Sequence, residues 1–219
     1  MCGTYTGLSS KTVQLPYQLY LESFIEVEYL TYILQRLQKM ECLVRRGWTH
    51  RNFALQYIRE NYDRTQQAVL YFADDDNTYD VRLFNNYIRK VNRIGVWAVG
   101  LVGGAWVEAP HVSATGKVIA WDVMFAPGRP FAVDMAGFAI NIKEVFRANK
   151  QVFYYASFNE KCAQYYKQGP ESCFLLQFGL VKENLEPFGY KDYPKEVLVW
   201  HTKTLKSKGK GPKRGYTIE

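Results

Sequence analysis

An α/β domain built on a mixed sheet is what this 219-residue sequence predicts. Three observations carry that expectation. Short apolar runs rich in β-formers recur along the chain, at residues 67–72, 96–102, 117–124 and 197–200. Between such runs apolar residues return at helical spacing, as at Val81, Phe84, Ile88 and Val91. Gly and Pro punctuate the joins, at Gly103-Gly104, Gly116 and Pro127-Gly128-Arg129-Pro130. Strands and helices interleaved in this way belong to one layered domain rather than to separate all-α and all-β parts.

The elements follow in order. Residues 1–14 are polar and predict irregular structure. Pro16 opens an amphipathic helix of ~20 residues, with Leu21, Phe24, Ile25, Leu30, Ile33 and Leu37 on its apolar face. Thr49 is placed to cap a helix through Phe53, Leu55 and Ile58. Residues 67–72 form a buried strand that leads into Asp74-Asp75-Asp76, ahead of the helical pattern from Val81. Residues 96–102 read as one further buried strand, the Gly103-Gly104 turn passes into an extended stretch to Glu108, and Lys117 to Met124 makes another strand. Phe131 to Asp134 is extended and ends on a carboxylate. From Ala139 to Ala148 the pattern is helical, and a short helix from Glu171 to Leu180 has Glu171 at its start. Val197 to Trp200 is a late strand, with His201 at its end. No internal repeat is present.

Apolar residues make up 47% of the chain, enough for one sizeable core. From Lys203 onward there are six cations against Glu219 alone, a net of +5 that leaves only +2 of the overall +7 to the rest. The folded part is therefore near neutral, and the basic balance does not argue for nucleic acid. Residues 205–219 read as a basic, flexible, solvated tail. None of the four cysteines forms a CxxC pair, which argues against a zinc site. Cys162 and Cys173 lie close enough for a small-loop disulfide, which the sequence leaves open. No apolar stretch reaches the ~20 residues of a membrane span.

The Asp triplet is the strongest chemical signal. Three adjacent carboxylates repel one another unless a cation neutralises them. A hard divalent metal does so with carboxylate and phosphate oxygens. Ligands in open α/β sheets gather at strand C-terminal ends. The plainer alternative is an Asp/Asn-rich turn that caps the next helix. Arg46 and Arg51 flank a predicted helix start, where cations oppose the macrodipole unless an anion is bound; two solvated arginines are the plainer reading.

Long motifs then agree with a known family. YFADDDNTY (71–79), VGLVGGAWVEAP (99–110), RPFAVDMAGF (129–138) and VWHTKT (199–204) resemble the β-1,3-glucuronosyltransferases, as does residues 46–60, RG followed by HRNFALQYIRE. The resemblance covers roughly 44–204. It implies a GT-A-like nucleotide-sugar transferase fold and inverting, manganese-dependent (Mn2+) transfer of glucuronic acid from UDP-glucuronate to the 3-hydroxyl of a terminal galactose. Matched residue by residue, Asp76 is the metal ligand. Asp74 and Asp75 meet the donor's ribose and sugar, with Arg46 and Arg51 also on the donor side. His201 stands by the diphosphate, and Lys203 takes the place of a family arginine there, keeping the charge without the planar fork. Glu108, Arg129 and Asp134 hold the acceptor galactose and the transferred sugar, and Glu171 is the catalytic base. The resemblance reverses the plain reading of the arginines.

Other aromatic and histidine residues carry plainer expectations. Trp97 and Trp121 belong to the core, Trp106 is a candidate for stacking on the acceptor ring, and His50 and His111 are ordinary loop histidines. Residues 1–43 show neither the family's anchor nor its first nucleotide-binding unit, so the match reads as N-terminally incomplete, with 1–43 a divergent segment ahead of a catalytic domain at 44–204. Residence at the lumenal side of the Golgi membrane is implied by the resemblance alone. A homodimer is a further expected partner. The alternative to an enzyme is a non-catalytic relative that binds glycan or dimerises with an active one.

Overall fold

The computed structural model describes residues 48–151, 157–158, 169–203 and 209–217. The helix expected from Pro16 lies outside them, as does Arg46. Helix α1 (Trp48–Asn61) begins one residue ahead of the expected cap at Thr49. Seven strands follow: β1 (Val69–Leu70), β2 (Asn77–Tyr79), β3 (Ile94–Val96), β4 (Val99–Gly100), β5 (Val107–Val112), β6 (Val118–Asp122) and β7 (Phe138–Asn141). Helices α2 (Ile142–Gln151) and α3 (Gly169–Leu176) precede β8 (Glu186–Pro187), β9 (Lys195–Glu196), β10 (Val199–His201) and β11 (Tyr216–Thr217).

Two mixed sheets result. The first runs β1-β7-β3-β8, antiparallel except for the parallel pair β3/β8. The second runs β2-β10-β4-β5-β6, antiparallel except for β10/β4. A parallel ribbon, β9 with β11, stands beside them.

The first sheet is apolar on both faces. Leu70, Ile94, Val96, Phe138 and Ile140 pack into one cluster with Leu55 and Ile58 of α1 and Phe174 of α3. Tyr71 and Ala139, one position out of phase, face a second cluster with Leu83, Trp97 and Val199. A strand buried on both faces shows no alternation, only a continuous apolar run. That is why residues 139–141, expected as helix, are strand: all four residues of β7 are buried. The helix starts only after Asn141, whose Oδ1 accepts from the Lys143 N–H at 3.1 Å.

Three more expectations are corrected. The single strand expected over 96–102 is two, in different sheets. Trp97 N–H bonds to Gly137 O as the chain crosses, and Leu101, at φ 55°, ends the second piece. The Asp triplet is not followed at once by a helix, because β2 intervenes and pairs with β10. The helical stretch beyond is a π turn (Leu83–Tyr87) and a 3-10 turn (Ile88–Lys90). Its Val81 is exposed, while Ile88 and Val91 are buried.

The tail, expected to be flexible, is described over residues 209–217 and is anchored to the fold at a few points, although residues 210–215 and 217 are exposed. Tyr216 is buried, and Arg214 pairs with Asp122 at 2.9 Å. Trp106 N–H donates to Lys210 O at 3.0 Å, and Lys210 N–H to Gly104 O at 2.9 Å. One buried tyrosine and free strand-edge groups outweigh the Gly/Lys composition that signalled flexibility. Gly209 lies against the Trp106 ring, where a Cβ would come within 2.5 Å, so the chain itself covers part of the ring proposed for acceptor stacking. His111 is a strand rather than a loop residue and faces Asp122 at 3.1 Å. Trp97 and Trp121 are core, as expected. Cys173 is disulfide-bonded.

Candidate active site

The site grows from the loop ends at one side of the two sheets. Asp134 follows an irregular buried stretch, Phe131 to Val133, that joins no ladder although the backbone at Asp134 itself is extended. Its Oδ1 accepts from the Ala136 N–H at 3.0 Å, capping a 3-10 turn, Met135–Gly137. His201, at the end of β10, brings Nε2 to 3.5 Å from the same oxygen. That contact raises the imidazole pKa above its ordinary value. The charges of Asp134, Asp76 and Asp74 add to it, and burial opposes them.

Asp74 and Arg51 are an ion pair, and the Arg51 guanidinium also lies 5.6 Å from the centre of the Phe158 ring. The arginine that the sequence set at a helix start is therefore already paired with an aspartate of the triplet. Burial nevertheless lifts the Asp74 pKa, with Arg51 pulling the other way and Asp134 and Asp76 adding repulsion. The loop is held by its backbone. Tyr79 donates its hydroxyl to Asp74 O at 2.6 Å, and Thr202 gives Asp76 O both its N–H (2.8 Å) and its hydroxyl (3.0 Å). Asp75 and Asp76 keep their carboxylates exposed, as Lys203 does its ammonium. Tyr79 and Thr202 were missed as individual residues. The signal was at hand, since both stand inside the DDDNTY and WHT motifs.

Glu171 stands in the first turn of α3. Burial, aided by the Asp134 charge, pushes its pKa up to about 7, against the pull of Arg129 and Arg51. A Cβ on Gly169 would lie 3.1 Å from both Arg129 Nη1 and Glu171 Oε2, so the two side chains flank one glycine. Arg129 is buried, donates to the carbonyls of Ala126 (3.3 Å) and Phe125 (3.1 Å), and lies 5.0 Å from the Phe125 ring centre. Glu108, on β5, is buried too; its Oε1 accepts from the Met124 N–H at 3.1 Å. Burial raises its pKa, which the Met124 amide partly offsets. The fold thus gathers Asp74, Glu108, Arg129, Asp134, Glu171, His201 and Arg51 into one electrostatically coupled group.

The Gly103-Gly104 turn supports Glu108. Both glycines have positive φ, but a Cβ on Gly103 would stand 2.3 Å from Glu108 Oε1, whereas one on Gly104 meets nothing within 4 Å. Gly104→Ala is expected to cost only left-handed strain, about 1–2 kcal/mol. Gly103→Ala adds displacement of a buried, hydrogen-bonded carboxylate. Thermal melts and acceptor KM for the two variants check this, with a lower Tm and a higher KM expected for Gly103→Ala.

Among the described residues no three His, Cys, Asp or Glu side chains gather as a metal cage. One exposed Asp76 carboxylate on a clamped loop suits a divalent ion that takes its remaining oxygens from a diphosphate and water. Among the same residues no helix is long and apolar enough to cross a membrane.

Mixed sheets flanked by helices, with a carboxylate–histidine–arginine group at their loop ends, are consistent with a GT-A-like glycosyltransferase domain. The chain belongs to glycosyltransferase family 43, whose model matches residues 10–205. That match takes in residues ahead of 44, where the recognisable motifs begin. The chain is 41% identical over 163 residues to galactosylgalactosylxylosylprotein 3-beta-glucuronosyltransferase 1 of Rattus norvegicus, covering 74% of this chain and 46% of that protein. It is 40% identical to the Caenorhabditis elegans protein galactosylgalactosylxylosylprotein 3-beta-glucuronosyltransferase sqv-8, covering 43% of it. To the human 3-beta-glucuronosyltransferase 2 of the same name series it is 42% identical, covering 47%. The chain thus spans about half the length of these relatives.

Proposed function

We propose that the protein transfers glucuronic acid from UDP-glucuronate to the 3-hydroxyl of a terminal galactose, with inversion and with manganese. The observation that carries this is Glu171. It is a half-buried carboxyl with a pKa of about 7, beside Arg129 and in the same charged group as Arg51, Asp74 and His201.

A base with that pKa is poised near neutral pH to take the proton of an acceptor hydroxyl. The acceptor oxygen then forms its bond to the sugar's anomeric carbon while the bond to the diphosphate breaks on the opposite face. Glu108 and Arg129 supply an acceptor and a donor of hydrogen bonds with which to orient the galactose. On the leaving side, His201 is held towards its cationic form by Asp134, where UDP develops negative charge. Asp76 would hold manganese, which when bound supplies Lewis-acid stabilisation of the diphosphate.

The test is turnover of UDP-glucuronate with a galactose-terminated acceptor, with and without manganese. A glucuronylated product that depends on the metal is expected. Saturable acceptor binding with no product under any metal condition would establish the glycan-binding reading instead.

A further inference from the structure

The turn that presents Asp134 rests on two buried donors from elsewhere in the chain. Tyr71, just after β1, donates its hydroxyl to Ala136 O at 3.0 Å. Trp97, in the crossing between β3 and β4, donates its indole N–H to the same carbonyl at 2.8 Å. Both residues are buried and so is Ala136. The N–H of Ala136 meanwhile donates to Asp134 Oδ1, and Gly137 N–H donates to Asp134 O at 2.9 Å. One peptide carbonyl is thus gripped from the core side, while its residue's amide holds the carboxylate that faces His201.

Neither ring is placed merely to fill space. Tyr71 and Trp97 pack tilted at 5.8 Å, within a cluster of Phe84, Tyr87 and Phe188. Phenylalanine could serve such packing at either position without bringing a polar atom into the core, which costs free energy unless it is satisfied. Here both polar atoms are satisfied by the same acceptor, and that acceptor belongs to the turn of the site.

We propose that Tyr71 and Trp97 are positioning residues: their converging donors fix the Met135–Gly137 turn and thereby the orientation of Asp134 towards His201. They touch no substrate and act through Asp134. This rests on the site as read above, but its test needs neither donor nor acceptor.

The chain has three histidines, so the His201 ring can be followed by NMR titration. The groups that set its pKa are Asp134, Asp76 and Asp74. In Tyr71→Phe, Trp97→Phe and the double variant, the His201 pKa is expected to fall towards the ordinary imidazole value, furthest in the double. Val91→Ala is the control. It removes methyl groups from the same buried cluster, lowers Tm, and is expected to leave His201 unmoved. If the tryptophan variant fails to fold, Tyr71→Phe decides, since it deletes one oxygen and keeps the ring. An unchanged His201 titration in Tyr71→Phe, or an equal change in Val91→Ala, overturns the proposal. Absence of glucuronyl transfer with the titration result intact would sink only the reading of the reaction.

Discussion

Glu171→Gln is expected to remove ~100- to 10,000-fold of turnover while leaving UDP affinity nearly unchanged, the range that a positioned general base supplies. The glutamine is close to isosteric but takes no proton from the acceptor. Two pH effects accompany the loss. In the parent protein kcat/KM should rise with pH through about 7, as Glu171 ionises. It should fall again above the raised pKa of His201, as that ring loses its charge. The variant should lose the acid limb together with most of its rate. Stability moves the other way. The Glu171 pKa is raised on folding, so the native state holds its proton longer than the unfolded state does. Below the ordinary glutamate range both states are protonated and the group contributes nothing. As pH rises through the window up to about 7 the unfolded state ionises first, and native stability falls. Above the window the full penalty applies, about 3 kcal/mol at 1.36 kcal/mol per pH unit. Glu171→Gln should therefore melt roughly 6–12 °C above the parent at pH 8 and close to it at pH 4. A variant with near-normal turnover would remove Glu171 from the chemistry. Equal melting at both pH values would show that its burial carries no penalty.

Asp76→Asn is expected to abolish the synergy between manganese and UDP. With one exposed carboxylate and no protein cage among the described residues, the ion should bind weakly alone and much better once phosphate oxygens complete its shell. Asparagine keeps the shape and the Thr202 clamp, which grips the main-chain carbonyl rather than the side chain. The substitution removes the anionic ligand and, with it, one of the charges that raise the His201 pKa. A fall in turnover of at least ~100-fold corresponds to about 3 kcal/mol of lost stabilisation. Calorimetry of manganese with and without UDP is the check; equal binding in parent and variant would place the ion on other residues.

Much of this site is legible in the sequence because its signals are local. Asp74, Asp75 and Asp76 are contiguous, and a carboxylate triplet after a buried run marks its own chemistry. The turns at Gly103-Gly104 and Gly116 are marked by the one residue type that adopts positive φ freely. Glu171 at a helix start and His201 at a strand end lie where local pattern set them. The motifs around these residues already pointed to the family to which the chain belongs.

Tertiary structure decided the rest. Residues 139–141 are strand rather than helix because two apolar clusters cover both faces, and periodicity cannot register double burial. The run 96–102 divides because its two ends find partners in different sheets. Residues 209–217 are anchored, though mostly exposed, because Tyr216 is buried and Tyr216 and Thr217 pair with β9, and composition encodes neither. Arg51 meets Asp74, and Arg129 flanks Gly169 with Glu171, only after chain segments far apart in sequence have docked. The sequence by itself determined which chemical groups are present and the local elements that carry them. Their mutual distances, and so the pKa of about 7 at Glu171 and the raised pKa of His201, arise from burial, hydrogen bonding and Coulomb interactions between distant segments, which no local pattern specifies.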